Sequence, residues 1–215
     1  MSLVAKFEQT SNFAPVPQGM HLARCYRIVD LGTQKTEYMG NIKHLHKVMF
    51  QFEVHSEDDQ GKPTTTNKGE PMSISKNYTM SLADKATMRK DLQTWRGQDF
   101  TPEELRGFEL KKVLGAWCMI SVVKAEGSNG KEYTNIAAVM PVPSSVKKAG
   151  LPNGHNETGM FSIDSPDMDL YETFSDYLKE KIGSSPEWQA RGGKQYDGGF
   201  SAPNVVEDDS DIPFN

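Results

Sequence analysis

Basic and aromatic side chains alternate along several predicted strands of this 215-residue chain. Lysine and arginine bind phosphate groups through their charge, and the rings of tyrosine and tryptophan stack on nucleobases. Together these residue types predict a surface that holds a single polynucleotide strand. The candidates are Arg24, Tyr26, Arg27, Tyr38, Lys43, Lys47, Lys76, Tyr78, Trp117, Lys124, Lys131 and Tyr133.

Trp117 and Tyr133 are the strongest candidates, because each lies opposite the apolar face of its predicted strand. One face of the strand that contains Trp117 is predicted to hold Leu114, Ala116, Cys118, Ile120 and Val122, which leaves Trp117 on the other face. Tyr133 lies opposite the face that Ile136, Ala138 and Met140 are predicted to share. The alternative is a place in the core, which is the more common environment for an aromatic residue of a strand.

The sequence has little that predicts catalysis. It contains no P-loop, no nucleophile elbow and no glycine-rich dinucleotide motif, so we expect no enzyme activity and no cofactor. The histidines and cysteines lack the spacing of a zinc site, so we expect no metal. One alternative remains open, a metal-dependent nuclease or recombination accessory enzyme that uses the carboxylates between Glu53 and Asp59.

Charge divides the chain into two parts. Residues 1–148 carry 20 lysines and arginines against 16 acidic residues, and residues 149–215 carry 4 against 13, which gives net charges of +4 and −9. This asymmetry suits a body that binds a polyanion and a tail that binds a protein partner. Without a long apolar run or a signal peptide, and with Cys25 and Cys118 as isolated thiols, we expect a cytoplasmic protein with no membrane span.

Short strands and one helix must position the candidate residues. The predicted elements are strands at 19–31, 47–55 and 72–80, a helix at 84–96 that ends at Gly97, and strands at 113–124 and 132–140. This order predicts a mainly β OB-fold, a five-stranded Greek-key barrel with a helix between strands 3 and 4.

Composition predicts four segments. Residues 1–17 form an extended lead-in, and residues 18–143 form the OB-fold domain. Residues 144–191 hold a linker, followed by a C-terminal helix at 168–182. The glycine-rich residues 192–215 form a flexible acidic tail.

The tail ends in four carboxylates within five residues, followed by a short apolar tip. Mutual repulsion should keep the carboxylates in solvent, where they steer the tip toward a basic-rimmed pocket on a partner. The candidate partner-binding residues are Asp208, Asp209, Asp211, Ile212, Pro213 and Phe214. This tip resembles the end of bacterial single-stranded DNA-binding proteins, although Asn215 follows the phenylalanine here. The alternative is a tail that only promotes solubility.

With the predicted order of elements, the tail makes the chain resemble phage-encoded single-stranded DNA-binding proteins. The stretches that carry the resemblance are Pro15–Gly19, Asp30–Gln34, Tyr78–Leu82 and Trp95–Gly97. The resemblance implies an OB-fold without metal or cofactor and a role in replication, recombination or repair in the cytoplasm of an infected bacterium. It implies single-stranded DNA and replication or recombination proteins as partners, and a homo-oligomer is possible. A further alternative is an OB-type module that binds only proteins.

Overall fold

The computed structural model describes residues 15–38, 40–57, 61–126 and 132–192, so Lys131 and the acidic tail lie outside these ranges. The strands are β1 (Gly19–Tyr38), β2 (Asn41–Val54), β3 (Ser73–Thr79), β4 (Trp117–Glu126), β5 (Glu132–Met140) and β6 (Gly159–Phe161). The helices are α1 (Thr87–Arg96), α2 (Pro102–Arg106), α3 (Ser144–Ala149), α4 (Met168–Glu172), α5 (Asp176–Gly183) and α6 (Pro186–Ala190), with a 3₁₀ turn at Leu110–Val113. The first five strands and α1 follow the predicted order.

The long strand β1 organises the sheet, because it pairs with three other strands. β1 pairs with β2 on one side, and on the other side with β4 along Gly19–Arg24 and with β6 along Arg27–Val29. The strand order is β3-β2-β1-β4-β5, antiparallel except for the parallel β6. The fold is mainly β, but the sheet is not closed, since no ladder joins β3 to β5 within the described ranges.

The inner face of this sheet packs against α1. Met88, Leu92 and Trp95 lie on one side of α1, where all three are buried. The helix ends at Gly97, as the sequence predicts, in the left-handed conformation with φ of 68°. At its other end, Ala86 occupies the N-cap position without a side-chain hydrogen bond. The inner core includes Cys25, Ile28, Phe50, Phe52, Cys118, Ile120 and Ile136.

A second hydrophobic cluster covers the opposite, outer face of β1 and β2. It joins Val29, Leu31 and Met49 of the sheet to the chain beyond residue 158. The rings of Tyr171 and Trp188 stack at 4.9 Å, and such pairs contribute about 0.5–1.5 kcal/mol beyond burial. The cluster also contains Phe161, Ile163, Phe174, Leu178 and Ile182.

This C-terminal segment differs from the predicted linker and single helix. Residues 144–166 contain α3 and β6, and the helix predicted at 168–182 is divided into α4 and α5. The division occurs because the Ser175 side chain accepts a hydrogen bond from Leu178 N and begins a new helix there. The segment packs on the sheet through buried aromatic rings. Because polar residues lie between these rings along the chain, its composition resembles that of a linker.

The stretch Asp30–Gln34 anchors the C-terminal segment. The carboxylate of Asp30 accepts hydrogen bonds from the backbone N–H groups of Gly32 and Ile163. Gly32 has φ of 66°, and a Cβ there would lie 2.5 Å from the Cβ of Ser185, so only glycine fits. The amide of Gln34 donates to the backbone oxygen of Lys181.

The connection between β1 and β2 is a β-hairpin where the sequence predicts a loop. The ladder continues from Gly32 opposite Lys47 to Tyr38 opposite Asn41, so a two-stranded arm extends from the sheet. Within the ranges given above, no helix is both long and apolar enough to cross a membrane.

Candidate nucleic-acid interface

The outer face of the sheet is covered in its middle and accessible on both sides. The C-terminal segment lies over β1 and β2, as described above. On one side the β3 wing, formed by Ser73, Ser75, Asn77 and Thr79, has exposed or half-buried side chains. On the other side, β4 and β5 form a second wing that includes Trp117 and Tyr133. These two wings are the parts of the outer face that a ligand can reach.

Five of the predicted contact residues instead have side chains that are buried or, for Arg24, mostly buried. Tyr26, Lys47, Lys76 and Tyr78 are all less than 9% exposed, and the side chain of Arg24 is 13% exposed. Tyr26 is the extra residue at a β-bulge in β1. These residues are therefore excluded from the candidate interface.

Lys76 and Tyr78 belong to the inner face of β3, together with Ile74. Lys76 Nζ and the Tyr78 hydroxyl both donate to the same carboxylate oxygen of Asp91 on α1, each at 2.8 Å. Burial, followed by the charge of Asp91, raises the pKa of the Tyr78 hydroxyl well above its ordinary value. These contacts join α1 to the sheet, and the ion pair with Asp91 allows Lys76 to be buried.

Arg24 is held by Glu53, a fully buried carboxylate on the outer face of β2. Arg24 Nε donates to Glu53 at 2.7 Å, and its guanidinium also donates to the backbone oxygen of Asn156. Glu53 accepts two further bonds from Asn156, at 2.7 Å from its backbone and 2.6 Å from its side chain, and one from His155 N at 3.0 Å. Burial alone would raise the pKa of Glu53, but these hydrogen bonds lower it to about 2.

Trp117 and Tyr133 lie on the outer face, as the sequence predicts. Both side chains are half-buried, and the rings of Trp117 and His55 form an edge-type contact with centroids 5.0 Å apart. Tyr133 pairs with Ala125, eight residues beyond Trp117 on β4, which places the two residues about 26 Å apart along the strand.

A bulge in β5 changes the rest of that strand. Ser121 pairs with Ala138 and Val122 with Ile136, so Ala137 is an extra residue. Ala138 and Met140 therefore share the outer face with Tyr133, whereas the sequence places them on the opposite face with Ile136. Val139 is the buried residue instead. The outer surface of this wing is consequently more apolar than predicted.

Exposed cations lie on the hairpin arm. Lys35 and Lys43 are exposed on opposite faces of the arm, and neither forms an ion pair within the part of the chain that the structure describes. Lys124 is exposed near the end of the β4–β5 hairpin, where its amine lies 3.3 Å from Glu132. Arg27 is half-buried, with its guanidinium 5.5 Å from the ring centre of Phe174. The side chain of Tyr38 and all of Lys131 lie outside the described residues.

The β3 wing supplies polar groups that are not among the predicted contact residues. Asn77 Oδ1, Thr79 Oγ1 and the neighbouring Gln51 Oε1 of β2 are buried atoms without a hydrogen-bond partner among the described residues. Such unpaired buried groups are uncommon in proteins. The signal was present in the sequence, because residues 73, 75, 77 and 79 are all polar and alternate with the inward-facing residues.

Only some of the carboxylates proposed for a nuclease site lie within the described residues. Glu53 is enclosed by the donors named above, and Asp58 and Asp59 lie outside the described residues. Among the residues that are described, no group of three histidine, cysteine, aspartate or glutamate side chains is arranged to hold a metal ion.

No protein-family model matches the chain, and a search of curated proteins finds no match either.

Proposed function

We propose that the protein binds single-stranded DNA, largely without sequence preference, across the two open wings of its sheet. The observation that carries this proposal is the position of Trp117 and Tyr133 on an accessible face, together with exposed lysines on the β1–β2 hairpin (Lys35 and Lys43) and on the β4–β5 hairpin (Lys124). Aromatic rings stack on bases of any kind, and lysines follow the phosphates. The arrangement of strands around one helix is the order of an OB-fold, whose sheet face and hairpin loops bind oligonucleotides.

The biological role follows from the sequence resemblance and the proposed ligand. We propose that the protein protects single strands during phage DNA replication, recombination or repair in the bacterial cytoplasm. The acidic tail recruits partner proteins through Ile212, Pro213 and Phe214. The protein acts by binding, as a non-enzymatic component of these processes.

Titration of a fluorescent oligonucleotide tests the proposed function. We expect binding to a single strand that weakens steeply as salt increases, because lysines displace counterions from the phosphates. A duplex of the same sequence should bind more weakly, since paired bases cannot stack on the rings. Equal affinity for duplex and single strand, or affinity that ignores salt, would refute the proposal.

Replacing Lys35 and Lys43 together with alanine should weaken binding and flatten its salt dependence. Each phosphate contact that is lost should reduce the slope of log affinity against log salt by about 0.7 for a single strand. The matched control is Lys85→Ala with Lys90→Ala, which removes the same charge from exposed positions at and before α1, on the inner side of the sheet. Equal slopes for the two double variants would remove the arm from the interface.

Replacing Trp117 with alanine should weaken DNA binding by about 1–3 kcal/mol, the contribution of one stacked base. The Trp117→Phe variant retains a flat ring and should recover most of that loss. Circular dichroism and urea unfolding of both variants monitor the fold, because Trp117 also contacts His55. If Trp117→Ala unfolds the protein and Trp117→Phe binds DNA no better than Trp117→Ala does, Trp117 is a core residue.

Deleting residues 204–215 should strengthen DNA binding at low salt. The four carboxylates at 207–211 are attached to the same molecule as the basic arm and compete with DNA at high effective concentration. The gain should disappear as salt screens the charges. The comparison variant deletes the tip alone, residues 212–215, and should leave the low-salt affinity unchanged. If deleting residues 204–215 leaves DNA affinity at low salt unchanged, the tail does not compete with DNA.

A further inference from the structure

A pocket of about 270 Å³ opens at the start of β3, beside the β3 wing. One wall is formed by the turn before β3 and the first residue of the strand, including Glu70, Pro71, Met72 and Ser73. The other wall is formed by His155 and Asn156 of the C-terminal segment. The pocket therefore lies where the accessible β3 wing meets the segment that covers the middle of the sheet.

Both walls are held in place by hydrogen bonds. The backbone N–H groups of His155 and Asn156 donate to the buried carboxylate of Glu53. On the other wall, Met72 N donates to Thr64 O, and Met72 O accepts from Val54 N of β2. A pocket with fixed walls selects its occupant by shape and hydrogen bonding, because binding requires little reorganisation.

The lining favours a planar, uncharged ligand that carries N–H donors. Pro71 offers apolar surface to a flat ring. Among the described residues that line the pocket, Glu70 is the only carboxylate and none is a lysine or arginine, so a phosphate group would be repelled. The side-chain nitrogen of Asn156 is engaged by Glu53, which leaves its oxygen as an acceptor.

We propose that this pocket accepts one base of the bound strand and favours guanine over thymine. Guanine presents an imino and an amino N–H side by side, and a carboxylate can accept both. Thymine presents a single N–H between two carbonyl oxygens, which a carboxylate repels. The inference rests on the proposed function, and it adds a single-base preference to binding that is otherwise tolerant of sequence.

Competition between oligonucleotides tests the pocket. The probes are thymine strands of about 20 nucleotides, long enough to cover an OB-fold site, which differ only in one central base. The strand with a central guanine should bind the native protein about tenfold more tightly than the all-thymine strand, within the range of one specific bidentate contact. Adenine and cytosine, each with one amino group, should give intermediate affinities.

Two variants assign the preference to Glu70. In Glu70→Gln the preference for guanine should fall to about twofold, while affinity for the all-thymine strand should not decrease. Glu157→Gln, which removes an equal charge from an exposed residue outside the pocket lining, should retain the preference. Glu70 is exposed, so both variants should keep the fold, which circular dichroism can verify.

The outcomes separate this inference from the proposed function. The pocket does not discriminate between bases if the native protein binds all four strands equally, or if Glu70→Gln retains the preference for guanine. Either result leaves the proposed DNA binding unaffected. If the native protein binds no strand, the proposed function and the inference both fall.

Discussion

Replacing Glu53 with glutamine is expected to lower the free energy of unfolding by about 3 kcal/mol at neutral pH. The pKa of Glu53 falls from an ordinary 4.5 to about 2 in the folded protein, and a difference of this size corresponds to about 3 kcal/mol of stabilisation by the charged form. Glutamine has a similar shape but no charge, so Arg24 would lose its ionic partner.

The effect should depend on pH in a defined direction. Because the folded pKa of Glu53 is lowered, its charged form stabilises the fold fully above about pH 4.5, and this contribution disappears as the pH falls toward 2. The stability difference between the native protein and Glu53→Gln should therefore be largest at neutral pH and should narrow between these two values. Urea unfolding at several pH values measures it.

A surface carboxylate provides the control. Glu132→Gln removes an exposed charge that lies 3.3 Å from Lys124, so it should cost less than about 1 kcal/mol at any pH. Amide hydrogen exchange gives a local readout, because the N–H groups of His155 and Asn156 should exchange faster in Glu53→Gln. If the difference in unfolding free energy between the native protein and Glu53→Gln does not change with pH, the charge of Glu53 does not contribute to stability.

Replacing Asp91 with asparagine is expected to destabilise the fold by about 3–5 kcal/mol, the usual cost of leaving a buried charge without its partner. Lys76 is 7% exposed, and its amine donates to Asp91 at 2.8 Å. Asparagine can still accept the hydrogen bond from the Tyr78 hydroxyl, so the loss reports on the lysine. Thermal or urea unfolding measures the difference.

A second substitution should rescue this loss. Lys76→Met replaces the buried charge with an apolar side chain of similar length, and in the Asp91→Asn background it should restore most of the stability. Asp84→Asn is the control, because Asp84 pairs with Arg89 at an exposed position and should cost about 1 kcal/mol or less. If Lys76→Met fails to rescue Asp91→Asn, the unpaired lysine is not the origin of the instability.

The two predicted losses concern different parts of the molecule. Asp91 joins α1 to the inner face of β3, so its loss should affect the whole fold. Glu53 joins the loop at His155 and Asn156 to the outer face, beside the proposed base pocket. The Glu53→Gln variant should therefore also weaken the preference for guanine, since one wall of the pocket would lose its support.

Features that depend on neighbouring residues were predictable from the sequence. The order of five strands and one helix follows from alternating and helical spacing, and both kinds of spacing lie within short stretches of chain. Gly97 ends α1, and Thr101 with Glu104 forms a capping box at α2. Trp117 lies on the outer face because the alternating residues around it have no interruption.

Features that depend on contacts between distant residues required the tertiary structure. One extra residue, Ala137, moves Ala138 and Met140 to the other face of the sheet, and the local sequence pattern does not predict this bulge. Lys76 looks like a surface cation until Asp91, from a helix, is brought beside it. The C-terminal segment looks like a linker until its rings meet the outer face of β1 and β2. Periodicity shows which residues alternate along a strand, but burial of a charge or a face depends on which distant part of the chain packs against it.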